Sequence, residues 1–391
     1  MYIKKMAVSL LVTIMVIMVI SCGCNRKKSA IATGLTTYQV KVSGDSFFQW
    51  DEFVDKVELI RLEMNEQSVI GKFRIGIVDK DGIFVYHWSN SSYPMSSAKL
   101  IHFDVAGNFI KEIGRQGKGP GEFLEMREFC IAENHVFTLD YQKIHCYDKN
   151  SGKHIDSWSF KDETGFNPVN FVVFDKDNYY LWDTDPINRD KNEREYYHLR
   201  EMRNGKITSE YFKCNFSTIL NQRFSPSGDD SYYINPIDGE DVVYRLTKES
   251  LQADFTIDFG NMALSTERVK ELKNSTERNA FLKSNAFKNI SDVLETKDYI
   301  YFQCTGPNAY GYEGLINKKT KEVKFGRTNY RKKPQLFFSD RNFLYGYYDP
   351  TALFDRQVGE DGINMCFNEI NNLKITENDN LIVVKIHLKN K

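Results

Sequence analysis

Cysteine is scarce in this sequence, and its spacing indicates neither a disulfide framework nor a zinc site. Of the seven cysteines, the five beyond the amino-terminal segment are Cys130, Cys146, Cys214, Cys304 and Cys366. An odd number cannot all pair, and no two of the five form a C-x-x-C motif. Cys130 and Cys146 are predicted on strands separated by a third strand, too far apart for a sulfur–sulfur bond. We expect most of these side chains to be buried as small hydrophobic groups.

The chain also has no excess of either charge. Its 52 basic and 53 acidic side chains leave a formal net charge of −1, so it lacks the basic signature of a nucleic-acid-binding protein. No G-x-S-x-G nucleophile motif occurs, and the seven histidines are scattered without the spacing of an H-E-x-x-H metal site. The sequence therefore predicts no catalytic residue, no cofactor and no nucleic-acid partner.

Long apolar runs are rare, and the one at the amino terminus predicts export. Two lysines precede an apolar run over residues 6–20, which has the length of the core of a secretory signal and is short for a membrane span. Residues 19–22, V-I-S-C, resemble the bacterial lipobox, whose cysteine is lipidated. We predict lipid attachment at Cys22. An ordinary signal peptide and an uncleaved anchor are the alternatives.

This interpretation sets the predicted domain boundaries and location. Residues 1–21 are a lipoprotein signal peptide, residues 22–50 are the lipidated amino terminus and a linker, and residues 51–391 are a single folded domain. The lipid would tether that domain to a membrane surface. We expect an exported protein, lipid-anchored to the bacterial envelope at the outer membrane.

The rest of the chain has the composition and the repeats of a β-protein. Aromatic residues make up 14% of the sequence, which favours strands. Lys99–Phe123 contains two alternating segments separated by a turn, as in a hairpin. The segment K-L-I-H-F-D at residues 99–104 recurs as K-I-H-C-Y-D at residues 143–148. A repeat of this length made of short strands indicates propeller blades, which span about 40–50 residues each.

The strand patterns predict six blades. The ring is expected to close by pairing a strand within Val54–Met64 with one within Asn380–Leu388, because closure leaves no exposed sheet edge. Ser265–Phe287 follows a helix-capping residue and has apolar residues at helical spacing. The predicted fold is all-β, a six-bladed β-propeller with a short helical insertion between blades four and five.

The glycine-rich segment Gly114–Gly121 could be mistaken for a phosphate-binding loop. Such a loop needs its glycines between a strand and the start of a helix, whose amide groups bind the anion. Here the following residues, Phe123–Ile131, alternate as a strand. The segment is therefore predicted to link the outer strand of one blade to the inner strand of the next, with glycine permitting positive φ.

Three segments resemble a known family. Residues 57–63 (V-E-L-I-R-L-E), 101–104 (I-H-F-D) and 114–123 (G-R-Q-G-K-G-P-G-E-F) are similar to the six-bladed β-propeller lipoproteins of Bacteroides-type bacteria, themselves distantly similar to NHL-repeat propellers. Residues 377–381 (E-N-D-N-L) resemble that family's ending, with Leu381 where proline is usual. The resemblance implies the fold and an exported lipoprotein, and it implies no activity.

Aromatic residues mark one face of the predicted propeller. The loops from second to third strands share a face with the links between blades, and we predict a ligand-binding face formed by Trp88, Tyr93, Tyr141, Trp182, Tyr310 and Tyr347. Tryptophan and tyrosine offer rigid contact surface for sugar rings or a peptide. The alternative is that these residues belong to the core at strand ends.

These patterns predict a cell-envelope lipoprotein that acts as a binding or scaffold propeller for a protein, peptide or glycan. The alternative is a metal-dependent hydrolase or lyase of the lactonase type, with a divalent cation held in the central channel by ligands from several blades. A structural subunit of an outer-membrane uptake complex is a third hypothesis.

Overall fold

The computed structural model describes most of the chain beyond its amino-terminal segment. The described residues are 35–42, 46–88, 98–141, 143–160, 166–183, 196–214, 224–227, 230–235, 242–263, 286–329, 333–350, 373 and 375–389. The predicted signal peptide, Cys22 and residues 264–285 of the predicted helical insertion lie outside these ranges. No helix within them is long and apolar enough to cross a membrane.

The strands of the first three blades follow one another in the chain. Blade 1 consists of β3 (Lys72–Asp79), β4 (Gly82–Trp88), β5 (Ala98–Phe103) and β6 (Phe109–Glu112). Blade 2 consists of β7 (Met126–Ala132), β8 (His135–Asp140), β9 (Lys143–Asp148) and β10 (His154–Ser159). Blade 3 consists of β11 (Asn170–Asp175), β12 (Asn178–Trp182), β13 (Tyr196–Arg203) and β14 (Lys206–Cys214).

The last three blades include two strands from the amino-terminal region. Blade 4 consists of β15 (Ser225–Pro226), β16 (Tyr232–Ile234), β17 (Val242–Leu246), β18 (Leu251–Asp258) and β1 (Thr36–Gln39). Blade 5 consists of β19 (Lys288–Glu295), β20 (Tyr299–Thr305), β21 (Gly311–Asn317) and β22 (Val323–Arg327). Blade 6 consists of β23 (Gln335–Ser339), β24 (Phe343–Tyr348), β25 (Ile382–Leu388) and β2 (Val54–Arg61). Short 3-10 helices cover Trp50–Glu52, Gly260–Met262 and Pro307–Ala309.

These sheets form a six-bladed β-propeller, as predicted. Apart from β1 in blade 4, successive strands within a blade are antiparallel neighbours. The first strands of most adjacent blades lie beside one another around the centre. Strands in the middle of a blade pack against neighbouring blades on both faces, so β4 is buried at every position except its last. The outermost strand β10 has no fully buried residue. A continuous apolar run in the sequence therefore indicates a strand that is covered on both faces. A more polar strand indicates the outer edge of a blade.

The predicted closure of the ring is confirmed. Strand β25 lies between β24 and β2, so that a carboxyl-terminal strand and an amino-terminal strand complete blade 6. Leu59 is opposite Val384 in the antiparallel pair of β2 and β25. Because the two ends of the domain pair in one sheet, blade 6 has four strands, as most other blades do. The pairing closes the ring between blades 5 and 1.

Residues on the amino-terminal side of position 51, the predicted start of the domain, also pack as part of the propeller. Strand β1 pairs in parallel with β18 and adds a fifth strand to blade 4, and the Phe48 amide donates to the Arg327 carbonyl of blade 5 at 3.0 Å. Tyr38 and Trp50, each 5% exposed, belong to the buried clusters on either side of blade 5. Strand β1 has only four residues, too few to show the alternation of a strand, and its partner β18 is distant in the chain. The sequence alone therefore does not distinguish this segment from a linker.

Each junction between neighbouring blades has its own buried apolar cluster. Six clusters are present among the described residues, and each draws on two adjacent blades. For example, Tyr301 of blade 5 and Val384 of blade 6 share one cluster, and Tyr180 of blade 3 and Ile234 of blade 4 share another. Burial of apolar area between blades, about 25 cal/mol per Å², therefore stabilises the ring at every junction.

Three of the cysteines conform to the expectation of burial. Cys130, Cys146 and Cys304 are buried with free thiols. Cys130 and Cys146 lie on β7 and β9, which are separated by β8, so the two are not paired. Burial raises the pKa of the Cys146 thiol to about 11. These thiols are therefore uncharged at neutral pH and contribute as small apolar side chains.

Candidate functional site

One end of the propeller, which we call the upper face, carries the links between blades and the loops from second to third strands. Because the strands of a blade are antiparallel, the first and third strands begin there and the second and fourth end there. Residues near the starts of β3 and β7 and the ends of β4, β8 and β24 therefore share this face. The described aromatic residues that are predicted to contact a ligand lie at such strand ends or in the loops beside them: Trp88, Tyr141, Trp182, Tyr310 and Tyr347.

Two arginine–aromatic pairs occupy equivalent positions on the upper face of blades 1 and 2. The guanidinium carbon of Arg74 lies 5.2 Å from the centre of the Trp88 ring, and that of Arg127 lies 4.4 Å from the centre of the Tyr141 ring. In each blade the arginine lies on the innermost strand, and the aromatic residue ends or follows the second strand. The blade repeat thus places the same cation–π contact at two adjacent points of the face.

Hydrogen bonds fix the first pair at the junction of blades 1 and 2. The Trp88 indole N–H donates to the Tyr86 hydroxyl at 2.7 Å, and that hydroxyl donates to the Met126 carbonyl of blade 2. Burial raises the pKa of Tyr86 far above its usual range, so the hydroxyl keeps its proton. The Trp88 ring is held in place before any ligand arrives, which reduces the entropy cost of binding.

The second pair is fixed at the junction of blades 2 and 3. Arg127 donates from Nη1 to the Pro168 carbonyl at 3.0 Å and to the Asn167 side-chain oxygen. Tyr141 is 42% exposed and has a positive φ of 46°. This conformation is uncommon for a bulky residue and costs of order 1–3 kcal/mol, and such strain often occurs at binding sites. The residue with this unusual backbone conformation is therefore the one whose ring contacts Arg127.

Tyr347 extends this surface onto blade 6. Its hydroxyl donates to Gln335 Oε1 at 2.6 Å, and its ring centre lies 4.2 Å from that of Phe73 in blade 1. Phe73 directly precedes Arg74 on β3. We call Arg74, Trp88, Arg127, Tyr141 and Tyr347 together the arginine–aromatic surface. The structure therefore brings three of the six predicted residues onto blades 6, 1 and 2 and adds two arginines that the sequence analysis missed.

The structure places Trp182 in the core and not on the surface of the upper face. Its side chain is fully buried, stacks on His198 with ring centres 5.5 Å apart, and belongs to the cluster between blades 3 and 4. The strand that it ends is covered on both faces, so the ring points into the blade junction. This is the core role that the sequence analysis left open as the alternative.

Tyr310 is exposed on the upper face but near the outer edge of blade 5. It is 48% exposed, and the guanidinium carbon of Arg327 lies 4.0 Å from its ring centre. Arg327 also lies over Phe47 of the amino-terminal segment. The contact between Tyr310 and Arg327 therefore lies where the amino-terminal segment packs on blade 5. Tyr93 lies outside the described residues.

The glycine-rich segment links two blades, as predicted. Gly114 and Gly121 have φ values of 64° and 74°, and the segment connects β6 with β7. Glu122 folds back into the loop and accepts the Gly119 amide at 2.7 Å. That contact holds the pKa of Glu122 below its usual range. The loop thus bonds its amide groups internally and leads into a strand, which is not the arrangement of a phosphate site.

Asp140 supports the link that leads into blade 2. Its carboxylate accepts the Leu124 and Glu125 amides at 2.8 and 3.1 Å, and it directly precedes Tyr141. Burial raises its pKa, but hydrogen bonds from His145 and these two amides outweigh that effect and hold the pKa below its usual range. The carboxylate is therefore charged at neutral pH. It fixes the backbone beside Tyr141, the aromatic residue of the second arginine–aromatic pair.

Replacing Asp140 by asparagine is expected to lower the free energy of unfolding by about 1–3 kcal/mol at pH 7. The lowered pKa in the folded state means that the charged carboxylate adds stability above its unfolded pKa and loses it as the pH falls through the folded pKa. Urea denaturation between pH 7 and pH 2.5 measures the difference. The difference between the two proteins should shrink at the acidic end of this range, as the carboxylate becomes protonated in the folded state. A constant difference would contradict this account.

The histidines and acidic residues in the described ranges are not arranged as a metal centre. Among the described ranges, no three histidine, cysteine, aspartate or glutamate side chains are grouped so that they could hold a metal ion. His102 packs in the core, with the centre of its ring 4.0 Å from that of the Phe84 ring. The hypothesis of a metal-dependent hydrolase therefore gains no support from these residues.

The chain is similar to several solved structures, of which the first agrees with the fold. A crystal structure of a Bacteroides fragilis protein described as exported aligns with a TM-score of 0.68 and 14% identity, over 91% of this chain and 99% of that one. The WD40 repeats of RRP9 align with a TM-score of 0.41 and 12% identity, over 85% and 98%. The propeller domain of a Pyrococcus furiosus protease aligns with a TM-score of 0.38 and 8% identity, over 71% and 77%.

Sequence comparison identifies the family. No curated protein matches the chain. The model of a family described as a domain of unknown function, DUF4934, matches residues 37–387. That match begins within β1 and ends within β25, so it spans the whole propeller with its amino-terminal strand. The chain therefore belongs to the DUF4934 family.

Proposed function

We propose that this protein is a lipid-anchored binding protein of the bacterial envelope whose arginine–aromatic surface captures an acidic glycan. The observation that carries the proposal is the repetition of an arginine stacked on an aromatic ring in two adjacent blades. A guanidinium that lies on a ring can still direct N–H groups along its edge to a carboxylate. The exposed part of the ring offers an apolar face to a sugar.

The repetition favours a ligand with repeating units. Two equivalent pairs on neighbouring blades present the same chemistry twice, and Tyr347 adds a further, half-buried ring on blade 6. A chain of uronic acids repeats a flat sugar face and a carboxylate in the same way. An acidic peptide carries the carboxylates without the regular ring faces, so the glycan is the better match.

The location of the protein is part of the proposal. The apolar amino-terminal run and V-I-S-C at residues 19–22 support export and lipid attachment at Cys22. The Bacteroides fragilis protein of similar fold is described as exported, which agrees with this. A lipid-anchored propeller captures the glycan at the membrane surface and passes it to other envelope proteins, which is a scaffold role.

Calorimetric titration of the full-length protein with oligogalacturonates tests the proposal. We expect the acidic oligosaccharide to bind and the neutral oligosaccharide of equal length to bind at least about tenfold more weakly, because the latter lacks the charge-assisted hydrogen bonds to arginine. Trp88→Ala and Tyr141→Ala should each weaken binding about tenfold, since each removes a ring contact and exposes an arginine.

Tyr310→Ala provides the matched control. It removes an exposed tyrosine that also lies under an arginine on the upper face, but outside the arginine–aromatic surface. Its affinity should equal that of the unchanged protein. Equal binding of acidic and neutral sugars, or equal loss in Tyr310→Ala and Tyr141→Ala, would overturn the proposal. Binding of poly-glutamate but not of oligogalacturonate would identify a peptide-binding surface instead.

A further inference from the structure

Outside the arginine–aromatic surface, one serine in blade 2 lies between two imidazole rings. Ser157 Oγ is 2.8 Å from His145 Nδ1 and 2.7 Å from His154 Nε2. The other nitrogen of His145, Nε2, lies 3.7 Å from Asp140 Oδ2. Serine, imidazole and carboxylate follow one another as in a hydrolytic triad. The difference is that here Nδ1 faces the serine and Nε2 faces the carboxylate, whereas in the serine-protease triad Nε2 faces the serine.

The sheet register brings these residues together. Ser157 on β10 is directly opposite His145 on β9, so the two side chains share a face. A bulge between His154 and Asp156 shifts the register of β10. In a regular strand residues 154 and 157 would point to opposite faces, and the bulge turns His154 to the side of Ser157. Sequence spacing alone could not indicate this, because the extra residue breaks the period of the strand.

The cluster is buried at one end and open at the other. His145 is 1% exposed and Asp140 is 6% exposed, whereas Ser157 is half-buried and His154 is exposed. Water is thus excluded from the imidazole–carboxylate contact, which strengthens it electrostatically. A small molecule can approach Ser157 from the side of His154.

The glycine-rich link holds the exposed imidazole. Gly121 lies against the ring of His154, and a β-carbon at Gly121 would be 2.4 Å from His154 Cγ. The Tyr147 hydroxyl in turn donates to the Gly121 carbonyl at 3.0 Å, which fixes the loop. Only glycine permits this approach, so the same segment that links blades 1 and 2 also positions His154.

We propose that Ser157 is the nucleophile of an acyl-transfer site that hydrolyses small esters. His145 is the base, Asp140 is a positioning residue, and His154 donates a hydrogen bond to the oxygen that becomes negatively charged. The Asp140 carboxylate faces Nε2 of His145, and a neutral ring therefore carries its proton there and accepts the Ser157 proton at Nδ1. This activity is separate from the proposed glycan binding, which involves other residues.

The reaction balances with water as the only co-reactant. Ser157 Oγ attacks the ester carbonyl carbon while its proton moves to His145 Nδ1. The bond from that carbon to the alcohol oxygen then breaks, and the proton passes from His145 to the leaving alcohol. Water, deprotonated by His145, attacks the acyl-serine, which releases the carboxylic acid and restores Ser157.

Labelling with a fluorophosphonate and hydrolysis of 4-nitrophenyl acetate by the full-length protein test this proposal. We expect the label on Ser157, located by peptide mass spectrometry. Ser157→Ala should abolish labelling and lower kcat at least about 100-fold. Ser159→Ala is the control, because Ser159 is exposed on the same strand two residues further on. Its labelling and its kcat should be unchanged.

Further variants separate catalysis from structure. Asp140→Asn should lower kcat about tenfold or more with KM unchanged, because it acts on the orientation of His145. His154→Gln, at an exposed position, should lower kcat without loss of stability. A folded, unchanged protein that does not label at Ser157, or hydrolysis that persists in Ser157→Ala, would overturn the proposal. Because the labelling uses the unchanged protein, a variant that fails to fold does not affect this outcome.

Discussion

Replacement of Val384 by aspartate is expected to prevent the chain from folding. Val384 is fully buried in β25, between Leu59 of β2 and Gly346 of β24. A carboxylate there would have no partner, and burying an unpaired polar group together with the lost apolar contact costs at least about 4–5 kcal/mol. Domains are stable by only about 5–15 kcal/mol. The strand that closes the ring would therefore detach and leave blade 6 incomplete.

Circular dichroism and urea denaturation of the two proteins measure this effect. Lys56→Asp is the matched control, because it places the same charge on the adjacent strand β2 at a side chain that is 61% exposed. It should cost less than about 1 kcal/mol. If Val384→Asp unfolded at the same urea concentration as the unchanged protein, the closure would contribute little to the stability of the propeller.

The second large effect concerns a buried ion pair at the junction of blades 5 and 6. The side chains of Lys333 and Glu313, only 5% and 1% exposed, form a salt bridge. Lys333 also donates to the Tyr301 hydroxyl at 2.8 Å, and that hydroxyl lies 3.1 Å from Glu313 Oε2. Lys333 belongs to the link into blade 6, whereas the other two residues are on β21 and β20. The pair thus joins two blades across their junction.

Lys333→Ala is expected to lower the free energy of unfolding by about 3–5 kcal/mol, because it leaves the Glu313 carboxylate buried without its cation. The double variant Lys333→Met with Glu313→Leu should regain most of this loss. Replacement of both charges by apolar groups of similar size is often neutral, since the cost of removing them from water disappears.

Urea denaturation of the single and double variants measures the coupling. An additive loss in the double variant would show that the two charges act independently and would contradict the assignment of a buried pair. Exposed Lys324→Ala, which removes the salt bridge to Glu322 on the surface of the same blade, is the control. It should change the stability by less than about 1 kcal/mol.

The repeat and the strand patterns in the sequence were sufficient to predict the propeller, its six blades and its closure. Apolar runs such as G-I-F-V-Y-H-W at residues 82–88 indicate a strand that is covered on both faces. This information is local, because each blade must bury its own strands against its two neighbours. The same holds for Gly114 and Gly121, whose positive φ reflects a requirement of the link itself.

What the sequence could not provide was the position of side chains relative to residues far away in the chain. Trp182 and Tyr141 both stand at the end of a second strand, yet one is fully buried and the other is 42% exposed. The difference depends on what the neighbouring blade places opposite each ring. Arg127 likewise acquires its role from Tyr141 and from a link in blade 3, neither of which is adjacent to it in sequence.

The sequence by itself determined the repeat, the alternation of buried and exposed strands and the amino-terminal export pattern, because each of these depends on neighbours along the chain. Only the tertiary structure decided that β1 joins blade 4, that Ser157 meets two imidazoles, and that Lys333 pairs with Glu313. These contacts join residues on different strands, and their geometry depends on register, on a bulge and on the packing of one blade against the next. No periodic pattern along the chain encodes them.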